Sequence, residues 1–180
     1  MPFDEARVSR AVRELLSGFG ADPDSPELRD TPGRVAEFWR ERLAGCEADV
    51  ASELQALPGI LAPCPVILER VPFVSTCEHH LAPFSGHATV GYLPGEGGTV
   101  GLSKLVRVVQ AYANRLQVQE RMTQQILDAL RLHLRPAAWG VKLVAEHTCM
   151  SQRGVKVHDV PVVTYLFGGA WAENPPPEFR

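Results

Sequence analysis

The stretch Cys77-Glu78-His79-His80 places a thiol and imidazoles within one turn of chain. A second stretch of the same kind, His147-Thr148-Cys149, follows much later in the sequence. Cys77, His80 and Cys149 offer sulfur and nitrogen, which zinc prefers in proteins, and a site with three protein ligands leaves the fourth position open for water. We therefore expect a catalytic zinc ion rather than a purely structural one.

His79 and His147 each lie within two positions of a proposed ligand, so they are candidates for proton transfer beside the metal. Alternation along a strand over residues 141–147 predicts that His147 and Cys149 point into one pocket, provided that the strand continues to residue 149. The two stretches together indicate a zinc hydrolase site.

Two plainer interpretations of the cysteines stay open at this point. In the first, the cysteines are small buried apolar residues with no chemical role, as free cysteines often are. In the second, they hold a structural zinc ion, with Cys46 or Cys64 as a fourth ligand. The pairing of cysteine with histidine at ligand spacing favours the catalytic interpretation over both.

The bulk composition narrows the class of protein. The chain has 180 residues, of which 45% are hydrophobic and 22% charged, as in a globular domain with a small appendage. Its net charge of -3 gives no general attraction to nucleic acid or to a membrane surface. We find no transmembrane stretch and no secretion signal, and four cysteines without an export signal favour the cytoplasm.

Apolar periodicity divides the chain into two regions. Residues 1–64 are predicted to hold a helix over 3–19, a second helix with Thr31 as N-cap, and a connector rich in proline and glycine. Residues 65–180 are predicted to form the catalytic domain. Its predicted elements are strands at 66–74, 87–93, 141–147 and 155–165, and a helix pair beginning at Ser103 and near residue 118. This order predicts an α+β domain, an antiparallel sheet backed by helices.

The helix pair bears polar residues that suit an anionic substrate. Lys104 and Arg107 lie three positions apart, so both can reach one anion, and Ser103 marks the helix start. Arg153 follows Cys149 closely, so it is expected near the metal. The carboxylate of Glu120 can accept two N–H bonds from a guanine edge. Taken alone, lysine and arginine on a helix usually form a solvated face, and Glu120 is better explained as a first-turn glutamate favoured by the helix dipole.

Four motifs in order resemble the GTP cyclohydrolase I family over residues 66–155. They are Ser75-Thr76-Cys77-Glu78-His79-His80, Gly101-Leu102-Ser103-Lys104, Gln117-Val118-Gln119-Glu120-Arg121, and His147-Thr148-Cys149-Met150 with Arg153-Gly154-Val155. The resemblance implies a T-fold (tunnelling fold): a four-stranded antiparallel sheet with a helix pair, preceded by N-terminal helices. It also implies a decamer of two pentameric rings, with pockets between subunits.

The resemblance further implies roles for individual residues. Zinc would be held by Cys77, His80 and Cys149, and His79 and His147 would be the catalytic acid/base groups. The substrate GTP would be bound by six residues: Glu120 and Gln119 at guanine, and Ser103, Lys104, Arg107 and Arg153 around the ribose and triphosphate. The reaction would yield 7,8-dihydroneopterin triphosphate and formate, the first step towards folate, other pterins or 7-deazapurines.

Two rival functions are compatible with the same fold. One is the nitrile reductase of queuosine synthesis, which uses a cysteine nucleophile and NADPH without zinc; the intact metal triad argues against it. The other is a non-catalytic oligomer stabilised by zinc, in which His79, His147 and Glu120 would have no purpose. Iron in place of zinc also stays open, because the same ligands accept either metal.

Overall fold

The computed structural model describes residues 3–55, 57 and 64–179. The chain divides into two compact units, the first extending to Ala44 and the second beginning at Gly45. The division into domains 1–64 and 65–180 stays a prediction. Within the described residues, no helix is both long and apolar enough to cross a bilayer.

The first unit contains the two helices predicted near the N-terminus, α1 (Glu5–Gly18) and α2 (Thr31–Arg42), which pack against each other. Asp4 caps α1 because its side chain accepts a hydrogen bond from the backbone N–H of Arg7 at 2.9 Å. The N-cap of α2 is Asp30 rather than the predicted Thr31, which is the first helical residue.

The second unit contains all the strands of the described chain. In order its elements are α3 (Val50–Glu53), β1 (Val66–Cys77), β2 (Ala82–Leu93), α4 (Leu102–Ala113), β3 (Leu116–Gln117), α5 (Gln119–Leu134), β4 (Ala138–His147), α6 (Thr148–Ser151) and β5 (Val162–Gly169). Short 3-10 turns lie at Ala44–Cys46 and Pro177–Phe179. The predicted strand-strand-helix-helix-strand-strand order is confirmed, with the short β3 added between the two helices.

The described strands form one sheet in the order β3-β1-β2-β4-β5. The four long strands pair antiparallel, as predicted, and β3 adds a two-residue parallel pairing at the end of β1. Alternate strand residues such as Phe73, Val90 and Leu143 are buried against α4 and α5, so the helix pair covers one face of the sheet. The predicted α+β class and T-fold are thereby confirmed.

Three further predicted details are wrong. The last strand begins at Val162 rather than Val155, because Pro161 lacks an N–H and precedes the strand, while residues 155–160 are exposed. The N-cap of α4 is Gly101 rather than Ser103, which lies inside the first turn. Strand β4 ends at His147, so it does not continue to Cys149.

Candidate active site

The ends of two strands bring the three predicted metal ligands together. Cys77 is the last residue of β1, His80 lies in the tight turn to β2, and Cys149 lies on α6. Their ligand atoms all lie within 4.8 Å of one another, and Sγ of Cys77 is 3.7 Å from Nδ1 of His80. The turn is closed by the N–H of Leu81, which donates to the carbonyl of Cys77 at 2.8 Å.

Cys149 joins this cluster by a route that differs from the predicted one. Strand alternation does not place it, because the chain turns into α6 directly after His147. The hydroxyl of Thr148 donates to the carbonyl of Pro83 at 2.6 Å, which anchors the start of α6 to β2. The single helical turn then brings Cys149 to the end of β1.

The cluster fits a metal ion with an open coordination position. Burial raises the pKa of the Cys149 thiol, and the neighbouring Cys77 raises it further. Two close thiols of this kind are stabilised as thiolates when they ligate a cation. Among the residues that the structure describes, no fourth His, Cys, Asp or Glu completes the cluster, and Cys46 and Cys64 are exposed outside it. This arrangement disfavours the closed structural site.

Arg153 contacts the cluster through His80. Its Nη1 lies 2.9 Å from Nε2 of His80. A guanidinium group only donates, so this imidazole nitrogen accepts the hydrogen bond. The predicted proximity of Arg153 to the metal ligands is thus present in the fold.

His147 is held in one orientation by a buried polar network. Its Nε2 lies 2.7 Å from Oε1 of Gln119, and its ring stacks on Phe84 with centroids 4.5 Å apart. The amide Nε2 of Gln119 donates to the carbonyl of Val162 at 3.0 Å and to the hydroxyl of Thr164 at 3.1 Å, so Oε1 faces the histidine. His147 therefore carries its proton on Nε2, and Nδ1 keeps the lone pair.

The electrostatic environment of His147 favours the neutral ring. Burial lowers the pKa of His147, whereas the negative charge of Glu120 acts in the opposite direction. Glu120 is exposed in the first turn of α5, and Gln119 beside it is fully buried. A neutral imidazole with a free Nδ1 is suited to accept a proton.

His79 has a different environment from His147. Its side chain is largely exposed, and its Nε2 lies 3.7 Å from Oε1 of Glu78. Glu78 is held by Arg121 in a bidentate pair of 2.6 and 2.8 Å, which lowers the pKa of the Glu78 carboxyl. An exposed histidine beside a fixed carboxylate is accessible to an incoming ligand.

The predicted anion-binding cations share a partner. Nζ of Lys104 lies 2.8 Å and Nη1 of Arg107 lies 3.4 Å from Oε2 of Glu53, the last residue of α3. Ser103 is exposed beside Lys104 in the first turn of α4. The two cations thus converge on one point, as their spacing predicts.

Sequence reasoning missed four residues that shape these groups: Glu53, Phe84, Arg121 and Thr164. Each makes its contact across 41 to 63 positions. The contacts are Glu53 with Lys104 and Arg107, Phe84 with His147, Arg121 with Glu78, and Thr164 with Gln119 and Thr123. Of these four residues, only Phe84 could have been found from strand pairing, because the register of β2 and β4 pairs it with His147.

The family profile of GTP cyclohydrolase I matches residues 8–178. The chain belongs to the GTP cyclohydrolase I family. It is 46% identical over 173 residues to GTP cyclohydrolase 1 of Mycolicibacterium paratuberculosis, covering 96% of this chain and 85% of that protein. It is 50% identical over 173 residues to GTP cyclohydrolase 1 of Mycobacteroides abscessus, with the same coverage of each chain.

Membership of the GTP cyclohydrolase I family makes the chain an enzyme and implies GTP as substrate and an oligomeric assembly. The predicted family is confirmed, and the nitrile reductase alternative is set aside. Among solved structures, the archaeosine synthase QueF-Like in its apo form is similar at 17% identity, with a TM-score of 0.48. That similarity covers 61% of this chain and 97% of the other.

Proposed function

We propose that this enzyme converts GTP to 7,8-dihydroneopterin triphosphate and formate in a zinc-dependent reaction. The observation that carries the proposal is the grouping of Cys77, His80 and Cys149, the last of which lies on the helical turn that directly follows His147. Membership of the GTP cyclohydrolase I family supports the substrate. The reaction would open folate, other pterin or 7-deazapurine synthesis in the cytoplasm.

The metal is held in this proposal by two thiolates and one imidazole. Zinc is the metal that this donor set suits best, although iron accepts the same ligands. When bound there, zinc activates water for hydrolysis at neutral pH. The absence of a fourth protein ligand from the described cluster supports a catalytic rather than a structural ion.

The substrate is bound at both ends. We assign the guanine edge to the exposed carboxylate of Glu120, and the ribose and triphosphate to Ser103, Lys104, Arg107 and Arg153. Convergence of Lys104 and Arg107 on one carboxylate oxygen supports their use on an anion. Gln119, predicted to lie at guanine, is assigned instead to orienting His147, because both ends of its amide are used inside the protein.

The two histidines divide the proton transfers. Water adds to C8 of guanine, and His79 protonates the ring nitrogen as the C8–N9 bond opens to a formamide. In the second hydrolysis, Nδ1 of His147 takes up a proton from the attacking water and passes it to the formamide nitrogen, so that the C–N bond breaks to give the free amine and formate. The lowered pKa and the fixed tautomer of His147 support this role.

The remaining steps need no hydrolysis. The ribose opens, rearranges to a ketose and closes on the exposed amine to give the pterin ring. Bound phosphates and the same acid/base groups keep the intermediate in place during this rearrangement.

The assembly proposed for the active enzyme is a decamer of two stacked pentameric rings, with the pockets between subunits. The strands β3 and β5 lie at the two ends of the sheet order, and edge strands of this kind support joining of sheets between subunits. Nucleic acid is not a proposed partner, since the net charge is -3.

Turnover of GTP tests the proposal directly. Purified, metal-analysed protein is incubated with GTP while the ultraviolet spectrum and released formate are recorded. A pterin spectrum with one formate per GTP is the expected result. A formamide product without formate would contradict the role of His147, and unchanged GTP with one zinc per chain would favour the structural-zinc alternative.

A further inference from the structure

The carboxylate of Glu53 lies where an anionic ligand of α4 would lie. One oxygen, Oε2, contacts both Nζ of Lys104 at 2.8 Å and Nη1 of Arg107 at 3.4 Å. Carboxylate and phosphate oxygens are alternative acceptors for the same charged donors. A phosphate oxygen and Glu53 therefore compete for one position.

The environment of Glu53 gives this contact some strength. The Glu53 side chain is 27% exposed and that of Lys104 is 36% exposed, so water screens their pair less than a fully exposed one. Lys104 and Arg107 also lower the pKa of Glu53, which keeps it ionised near neutrality. The cation pair is neutralised in part before any ligand arrives.

We propose that Glu53 is an internal competitor for the Lys104–Arg107 pair, and that a polyphosphate binds only after its carboxylate has been displaced. This inference rests on the proposed function, which assigns the two cations to the triphosphate. It makes Glu53 a residue that sets substrate affinity without contacting the reacting atoms.

Displacement requires rotation of one side chain rather than movement of α3. Val50, the first residue of this short helix, and Leu54, which directly follows Glu53, are buried in the core. Asp49 caps the helix by accepting from the N–H groups of Ala51 and Ser52 at 3.1 and 3.3 Å. The backbone is thus anchored on both sides of Glu53, and only its side chain is free to leave.

Competition of this kind has a quantitative signature. The apparent affinity equals the intrinsic affinity multiplied by the fraction of molecules in which the pair is open. Removing the competitor should therefore increase the affinity of every anion that binds the Lys104–Arg107 pair by the same factor. Because such partly exposed ion pairs are modest in strength, we expect roughly a two- to fivefold effect.

Calorimetric titration of the full chain with inorganic triphosphate tests this inference. Glu53→Gln keeps the shape of the side chain and removes its charge, so the dissociation constant should fall roughly two- to fivefold. Asp24→Asn is the matched control, because it also removes one ion-paired carboxylate, that bound to Arg13. This control should leave the dissociation constant unchanged.

Further measurements separate displacement from simple charge repulsion. Glu53→Asp keeps the charge but shortens the side chain, so it should also tighten triphosphate. In Glu53→Gln, the affinity for pyrophosphate should rise by the same factor as the affinity for triphosphate. KM for GTP should fall by that factor, with kcat unchanged. An unchanged or weakened affinity in Glu53→Gln, or an effect that grows with ligand charge, would overturn the inference.

Lys104→Met distinguishes failure of this inference from failure of the proposed substrate site. If Lys104→Met weakens triphosphate binding while Glu53→Gln does not tighten it, the competitor is refuted and the substrate site stands. If Lys104→Met leaves triphosphate binding unaltered, the assignment of the cations to the triphosphate fails, and the inference fails with it.

Discussion

Nε2 of His147 donates a hydrogen bond of 2.7 Å to Oε1 of Gln119, and the other end of the Gln119 amide is bound to β5. The glutamine therefore decides which nitrogen of the histidine bears the proton. A fixed tautomer of this kind is what a proton acceptor at a defined atom requires.

Replacing this amide by a carboxylate should change the titration of His147. In Gln119→Glu, the negative charge beside the ring should raise the pKa of His147 by about 1 to 3 pH units. Hydrolysis at neutral pH should then slow, because less of the histidine is neutral. Nuclear magnetic resonance titration of His147 measures the pKa, and formate release measures the activity.

The control for this change is Gln124→Glu on the same helix. Gln124 is exposed and bonds to Asp128, so it introduces the same charge without touching His147. An equal rise in the pKa of His147 in both variants would refute a local role for Gln119.

Two substitutions should separate metal binding from proton transfer. Cys149→Ser removes a thiolate ligand, so the purified variant should lose its zinc. His147→Ala leaves the cluster intact, so it should keep zinc but lose formate release by roughly 100-fold or more. Metal analysis and formate measurement on both proteins check this, and unimpaired turnover of His147→Ala would contradict the assigned role.

Acid should weaken the contact between Glu78 and Arg121. The pKa of Glu78 is lowered from its ordinary 4.5, mainly by the hydrogen bond to Arg121. The Glu78–Arg121 pair therefore stabilises the fold fully above the ordinary pKa of a glutamate. This stabilisation is lost as the pH falls through the lower pKa that Glu78 has in the folded protein. Arg121→Gln should be less stable than the wild type at neutral pH, and the difference should shrink in acid.

Chemical unfolding of the metal-free protein at several pH values measures this difference. Arg131→Gln is a suitable comparison, because its pair with Asp128 is a longer, exposed contact of 3.6 Å. A gap between Arg121→Gln and wild type that stays constant down to acid pH would mean that the Glu78 pair is not its cause.

Gly45 packs directly against the end of α4, and a side chain there should be destabilising. A Cβ at this position would lie 2.0 Å from the carbonyl oxygen of Ala111, and the Gly45 N–H donates to the carbonyl of Asn114. Gly45→Ala should cost about 1–3 kcal/mol of stability through overpacking. Urea unfolding measures this cost.

Gly33→Ala makes the same chemical change as Gly45→Ala, but it should stabilise the protein rather than destabilise it. Gly33 lies in the first turn of α2, with open space at the position of its Cβ. Alanine should stabilise this helix by up to about 1 kcal/mol. Similar losses in both variants would show that the effect at Gly45 is not steric.

The sequence predicted the elements and the proximity of Cys77, His80 and Cys149 well, because both depend on local patterns. Ligand chemistry grouped these three residues without knowledge of the fold, and apolar periodicity identified the helix pair. The prediction that β4 continues to Cys149 was wrong, because side-chain alternation does not show where a strand ends and a helical turn begins. The start of the last strand was wrong for a related reason, because its β-forming valines precede Pro161 and are exposed.

Contacts between distant charged residues lay beyond sequence reasoning. Nothing local to Glu53 marks it as the partner of Lys104, 51 positions later. Charged side chains on helices usually face water, so their spacing alone does not identify a partner. The same limit applies to Gln119, because nothing in its sequence position shows that its amide lies between His147 and β5.

The two-residue strand β3 adds a backbone link between the two halves of the site. It pairs Gln117 with Cys77, and the N–H of Glu78 donates to the carbonyl of Gln117 at 3.0 Å, two residues before α5 begins. The spacing between the end of β1 and the start of α5 is thus held in part by peptide groups, which side-chain substitution does not remove. Under the proposed assignment of Glu120 to guanine, changing that residue to favour another purine should leave this backbone link to Cys77 intact.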